Sequence, residues 1–216
     1  MKRNYEFNYL KEKETEILKR LLSFANKEKM NSDKDQESFH LSYASFVNFF
    51  KNKPVLNLDD IIIGMSFTYS WMPTILTINI PDGSAYQLVD ILNKAHKSHE
   101  LPQEDDLELL KITVNNSLVG SSKLLHFINP DTYPILDSRV MEFLFGKSNY
   151  ERITEPSFYL EYIHYMKNLV ESPEGKELCG IMNLKLGANL PPVRALEFCM
   201  YGVAVEEAKL RKLSLP

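Results

Sequence analysis

Residues 115–140 of this 216-residue chain read NNSLVGSSKLLHFINPDTYPILDSRV, and this stretch decides how the rest is interpreted. The stretch predicts a tight turn at Ser117–Gly120 and then a brief apolar helix, Ser121–Ile128, which carries one lysine, Lys123. A turn containing proline follows, and a second helix opens at Asp137. A lysine and a carboxylate at two helix starts suit amine-nucleophile chemistry, in which the amine attacks carbon and the carboxylate handles the proton.

The composition describes a chain with a sizeable core and no strong charge. Hydrophobic residues make up 44% and aromatic residues 11%, while the net charge is −4. This balance counts against a protein that coats DNA but less against one that docks through a hairpin and helix N-termini. The cysteines, Cys179 and Cys199, form no CxxC motif, and the N-terminus lacks the apolar core of a signal peptide. We therefore expect a cytoplasmic protein with reduced thiols, associated with the nucleoid when bound to DNA.

One uncharged segment, residues 61–81, is long enough to span a bilayer. Its serines, threonines, asparagine and proline make it too polar and too broken for that role. We expect a buried core helix followed by a turn, and no association with a membrane.

Apolar residues recur at three- and four-residue spacing along most of the chain, which predicts an all-α fold. We expect a single compact helical unit over residues 1–216, with room for a small β element before residue 85. Residues 105–145 form its functional segment. The predicted helices are 5–27, 39–50, 84–97, 105–116, 121–128, 137–145, 157–170 and 191–213. Residues 58–76 are ambiguous between strand and helix, and Asp59 and Asp60 favour a capped helix that kinks or ends near Pro73.

The helices around Ser117–Gly120 form a predicted helix–turn–helix unit. Gly120 is the residue of this turn that accepts a positive φ. Ser121 or Ser122 then caps the second helix, which leaves backbone N–H groups pointing out of its first turn. That end of a helix favours an anion such as a phosphate, so Gly120, Ser121 and Ser122 are candidate DNA-binding residues beside Lys123.

These residues resemble the helix-hairpin-helix DNA glycosylases, most nearly the bacterial and archaeal branches with an 8-oxoguanine DNA glycosylase fold. The resemblance rests on the hairpin with Lys123 at the start of its second helix and on the pattern P-[IV]-x-D, here Pro134-Ile135-Leu136-Asp137. It is specific over about residues 107–145. The family's hairpin usually reads Leu-Pro-Gly-x-Gly-x-Lys, and the proline and first glycine are absent from this chain.

The resemblance implies a helix-hairpin-helix bundle that excises a damaged or modified purine, such as 8-oxoguanine, from double-stranded DNA. Lys123 would be the nucleophile, forming a Schiff base with the sugar and allowing strand cleavage, and Asp137 its catalytic partner. This chemistry requires no metal, no organic cofactor and no obligate protein partner. The histidines and cysteines show no spacing typical of zinc or iron–sulfur sites.

The residues also leave other roles open. Tyr69, Trp71 and His126 are candidates for the pocket of an extruded base, with core packing as the alternative. Asp137 is also an ordinary N-cap, and a lysine such as Lys123 is often only solvated. The alternatives to a glycosylase are a non-catalytic helix-hairpin-helix DNA-binding module and a helical protein-interaction domain.

Overall fold

The computed structural model describes residues 9–27, 35–72, 74–97, 100–146 and 150–213. Its regular structure is helical, so the all-α prediction is confirmed. No strand occurs within those ranges, and the β element expected before residue 85 is a single antiparallel bridge between Ile78 and Val114. No helix in the described part of the chain has the length and apolar character needed to cross a membrane.

The chain divides into two compact units, and the described helices fall within one or the other. The first unit comprises Met1–Met30 and Leu136–Pro216, and the second comprises Asn31–Ile135. The division runs through the predicted functional segment 105–145. That the two units act as the single unit predicted over 1–216 stays a prediction.

In the second unit, helix α7 lies at the centre. It packs on every other helix of that unit, and nine of its eleven residues are buried. The unit's helices are α3 (Asp35–Lys51), α4 (Leu58–Tyr69), α5 (Ala85–Lys97), α6 (Glu104–Thr113) and α7 (Leu118–Ile128). Because α7 is nearly surrounded, each side chain on it is held in one place.

In the first unit, the long helix α12 has the central position, with α2, α8, α10 and α11 packed on it. The unit's helices are α1 (Tyr9–Glu12), α2 (Glu14–Ala25), α8 (Ser138–Phe145), α9 (Tyr150–Ile153), α10 (Pro156–Glu171), α11 (Pro173–Leu186) and α12 (Pro192–Leu213). Arg20 of α2 joins three of these helices. Its guanidinium bonds both carboxylate oxygens of Glu207 on α12 at 3.0 Å and donates to the Phe143 carbonyl of α8 at 2.6 Å.

The predicted helices differ from the observed ones in a few places. The first predicted helix is interrupted at Lys13, between α1 and α2, and its predicted start at Tyr5 lies outside the described residues. The helix expected from Leu58, with a kink or an end near Pro73, ends at Tyr69. Helix α11 was not predicted at all, although Ser172 caps it and Pro173 follows at its first position, which are ordinary start signals. The helix predicted from Ser121 begins three residues earlier.

Replacing Arg20 with Met should lower the free energy of unfolding by about 1–3 kcal/mol, since a charge-assisted fork and a bond to a backbone carbonyl are lost together. Arg20→Lys should recover only part of the loss, because an ammonium group cannot bond both oxygens of Glu207 and the carbonyl in the same geometry. Urea unfolding checks both variants. Lys94→Met, which removes an exposed pair with Asp90 on α5, is the control and should change little. Equal losses from Arg20→Met and Lys94→Met would contradict this role.

Candidate active site

The turn before α7 lies earlier than the sequence predicted. It is formed by Asn115 and Asn116, whose φ angles of 60° and 49° put both in the left-handed region that asparagine tolerates. The Ser117 side chain then caps α7 by accepting the backbone N–H of Gly120 at 3.1 Å. The segment at residues 77–79 holds the turn from outside: the Asn115 N–H donates to the Thr77 carbonyl at 3.0 Å.

The predicted hairpin at Ser117–Gly120 and the predicted cap at Ser121 or Ser122 are therefore wrong. Gly120 lies inside the first turn of α7 and does not have a positive φ. The Ser121 hydroxyl donates to the Ser117 carbonyl at 3.0 Å and the Ser122 hydroxyl to the Val119 carbonyl at 2.9 Å, and both side chains are buried. Contact of these three residues with DNA stays a prediction.

Gly120 is required for a close approach between helices. A Cβ placed there would lie 2.6 Å from the hydroxyl oxygen of Tyr69 and 3.0 Å from its ring, well inside contact distance. The Tyr69 hydroxyl is buried and lies 3.5 Å from the Val114 carbonyl. Burial raises the pKa of Tyr69, and bonds with the side chains of Ser117 and Asn115 partly offset that rise. The end of α4 is thus fixed to both the turn and the first turn of α7.

Lys123 is placed on the one stripe of α7 that is not buried. Within α7, Val119 and Lys123 are half-buried and every other residue is buried. The two are four residues apart, so they lie on the same face of the helix. Lys123 therefore lies on the one half-buried face of an otherwise buried helix.

His126 and Trp71 lie in the aromatic core of the second unit. The Nδ1 atom of His126 lies 2.6 Å from the Tyr133 carbonyl, which can only accept, so Nδ1 carries the hydrogen; Nε2 lies 2.9 Å from the Tyr43 hydroxyl. Trp71 is half-buried, and its Nε1–H donates to the Ser42 hydroxyl at 2.9 Å. Tyr69, Trp71 and His126 therefore all have packing roles, and their contact with a base stays a prediction.

Asp137 belongs to the first unit, where it caps α8. Its Oδ1 atom accepts the backbone N–H groups of Arg139 and Val140, both at 2.9 Å. Among the described residues no hydrogen bond is made to Oδ2, and the side chain is half-buried. The prediction that Asp137 begins this helix is confirmed. The two hydrogen bonds to Oδ1 fix the orientation of the carboxylate.

Neither cysteine has the character of a nucleophile. Burial raises the pKa of the Cys179 thiol to about 11 and that of the Cys199 thiol to about 12, so both are protonated near neutral pH. In the described residues no group of three or more His, Cys, Asp or Glu side chains is arranged to hold a metal ion.

Comparison with known proteins returns no match, whether against protein-family models, curated proteins or solved structures. Of the site residues predicted from the sequence, Lys123, Gly120, Ser121, Ser122, Tyr69, Trp71 and His126 belong to the second unit and Asp137 to the first.

Gly120→Ala should destabilise the protein by up to about 2 kcal/mol. An overpacking cost of about 1–3 kcal/mol against Tyr69 exceeds the roughly 1 kcal/mol that alanine contributes in a helix. Tyr69→Phe in the same chain should recover part of the loss, since the hydroxyl is the closest atom. Gly180→Ala in α11, where a Cβ meets nothing within 4 Å, is the matched control and should stabilise. Thermal unfolding of the four variants checks this, and additive effects of Gly120→Ala and Tyr69→Phe would contradict it.

Proposed function

We propose that the protein is a DNA base-excision glycosylase with Schiff-base lyase activity, acting on a damaged or modified purine in double-stranded DNA. The proposal is supported by the way two side chains are held, Lys123 and Asp137. These are the residues to which the resemblance assigns the chemistry. Lys123 is on the only half-exposed stripe of a buried helix, and Asp137 is held at a helix N-cap by one oxygen. The proposal also includes the fold: a helical bundle of the helix-hairpin-helix type.

In the proposed reaction the base leaves C1′ of the sugar and Lys123 adds there through a neutral amine. The nitrogen loses a proton as it adds, and the departing base takes one up. Opening of the sugar ring then gives an imine, from which β-elimination breaks the strand on the 3′ side. Apart from Val119 and Lys123 the helix that carries this amine is buried, and the proposed reaction requires the amine to lose a proton before it attacks.

Asp137 supplies negative charge to the sugar as the glycosidic bond breaks. Its Oδ1 is fixed by two backbone N–H groups, so the carboxylate does not have to reorganise when positive charge develops. Its Oδ2 is the atom that would accept the proton of the attacking amine. Because the two oxygens would have different roles, Asp137 could both cap α8 and take part in the reaction.

The proposal has a second part, for which the support is less direct: DNA docks on the turn before α7. Asn116 is exposed and lies in the left-handed region just before a helix N-terminus, where backbone N–H groups favour a phosphate. The bond between Asn115 and Thr77 holds this backbone in place. The backbone, rather than the buried serine hydroxyls, is the part of this turn that would meet the strand.

The test is borohydride trapping on duplexes that contain 8-oxoguanine, other oxidised, deaminated or alkylated bases, or an abasic site. We expect a permanent protein–DNA adduct, because only an imine can be reduced to a stable amine. Lys123→Gln should abolish the adduct and leave thermal unfolding unchanged. Lys111→Gln on the neighbouring helix α6 is the matched control and should trap normally. Release of a base without trapping would point to a water-using glycosylase, and no release from any duplex would refute the proposal.

Asp137→Asn and Asp137→Ser should fold with stability close to that of the wild type, because all three residues serve as N-caps. Both should lose most base excision, by about 10²-fold or more, because the charge is lost. Single-turnover cleavage and thermal unfolding measure the two effects. A variant that loses stability and retains cleavage would make Asp137 a structural cap only.

A helical protein-interaction domain is the second candidate function. It is favoured by the burial of Ser121 and Ser122, the two hydroxyls predicted to meet DNA. In that case Lys123 is solvated and Asp137 only caps α8. Duplex DNA, damaged or intact, would then fail to bind in a salt titration, whereas the proposed glycosylase loses affinity steadily with salt.

A further inference from the structure

Positive charge collects at the end of α12, although the chain as a whole has a net charge of −4. The last five residues of the helix, Lys209–Leu213, are all exposed, and three of them are basic: Lys209, Arg211 and Lys212. Because these side chains are exposed, core packing does not account for them. Their charge is the property that remains to be explained.

The carboxylates beside these basic residues are matched by other cations. The guanidinium of Arg20 bonds both carboxylate oxygens of Glu207 at 3.0 Å, and the ammonium of Lys27, shortly after α2, pairs with Glu206. Lys185 of α11 adds a further positive charge, since its ammonium donates to the Lys27 carbonyl. The two glutamates therefore do not cancel the charge of the helix end, and this part of the first unit is cationic.

Some of these cations hold helix ends. Arg211 donates to the Gly146 carbonyl at 3.1 Å, and a basic side chain in the last turn of a helix, such as Lys212, compensates the partial negative charge there. Lys209 lies before that last turn. Neither Lys209 nor Lys212 makes a hydrogen bond or an ion pair within the described part of the chain. The ammonium groups of these two lysines are thus available to a partner.

Lys209 and Lys212 belong to one face of α12, together with Tyr201 and Val205. The four residues follow one another at spacings of four, four and three, which puts them on the same side of a helix. Tyr201 is 40% exposed, and its ring lies 6.5 Å from that of Phe198. From Tyr201 to Lys212 the face runs for about 16 Å, a length over which duplex DNA carries roughly ten phosphates. Its length and charge match a linear polyanion better than a single small anion.

We propose that this face of α12, the cationic face, binds the sugar–phosphate backbone of DNA. Lys209 and Lys212 pair with phosphates, and the ring of Tyr201 packs against the sugar. The inference rests on the proposed function in naming DNA as the polyanion. The observations favour DNA over an anionic membrane, because the exposed leucines of the helix end, Leu210 and Leu213, are too few for the broad apolar face that membrane binding needs.

The experiment measures binding of the full-length protein to an intact fluorescent duplex, by anisotropy over a range of salt concentrations. Intact DNA suffices because backbone contacts carry no base information. In Lys209→Gln/Lys212→Gln the plot of log Kd against log salt should become shallower by about 2, roughly one unit for each lost phosphate contact. Affinity at about 0.1 M salt should fall about tenfold or more. Lys209→Gln alone should give half of the change in slope.

Lys167→Gln/Lys176→Gln is the matched control, because it removes the same charge from exposed lysines of α10 and α11. It should keep the wild-type slope, and both double variants should unfold at the wild-type temperature. Equal slopes for all the proteins, equal losses in the two double variants, or no duplex binding by the wild type would each overturn the inference. Binding to phosphatidylserine vesicles that exceeds duplex binding and is lost in Lys209→Gln/Lys212→Gln would overturn it in favour of a lipid surface.

The result for the cationic face is separable from the result for the glycosylase. Borohydride trapping at saturating protein concentration depends on chemistry rather than on affinity, so Lys209→Gln/Lys212→Gln should trap there like the wild type. A slope shallower by about 2 in this variant, without trapping by the wild type, would uphold the cationic face and refute the glycosylase. Trapping with an unchanged slope would refute the cationic face and leave the glycosylase in place.

Discussion

The packing of the second unit depends on Tyr69, whose ring lies against the backbone of α7 at Gly120. The ring is so close that a side chain larger than hydrogen does not fit at that position. A Cβ at Gly120 would come within 2.6 Å of the Tyr69 hydroxyl oxygen. The same hydroxyl interacts with Asn115 of the turn and with Ser117, the N-cap of α7, so one side chain fixes the end of α4, the turn and the start of α7 together. Because α7 is held in this way, the position of Lys123 within the second unit is fixed by the packing of its helix.

In the first unit, charged side chains rather than a tyrosine hold the helices in place. Arg20 joins α2, α8 and α12 at one end of the helix pair, and the buried Arg194–Glu197 pair lies at the other. Two backbone N–H groups orient the Asp137 carboxylate. In both units the candidate catalytic side chain is attached to a rigid element, α7 for Lys123 and α8 for Asp137.

Local signals in the sequence were sufficient for the all-α class and for Asp137 as an N-cap, because helix periodicity and capping depend on neighbouring residues. They failed at Gly120, which was interpreted as a turn residue. Its real constraint is a contact with Tyr69, 51 positions earlier, which no local pattern reveals. Asn115 and Asn116, rather than Gly120, have the left-handed backbone conformation that forms the turn. Likewise, only packing shows that the carboxylate of Glu197 is buried.

The central claim is that Lys123 is the nucleophile, and mass mapping of the reduced protein–DNA adduct tests it most directly. Trypsin cleaves after Lys and Arg, so an unmodified chain yields the peptides 112–123 and 124–139. If the sugar is attached to Lys123, cleavage there is blocked, and the adduct should be found on the single peptide 112–139. An adduct on any other lysine or on the N-terminal amine, with 112–123 and 124–139 recovered intact, would contradict the account.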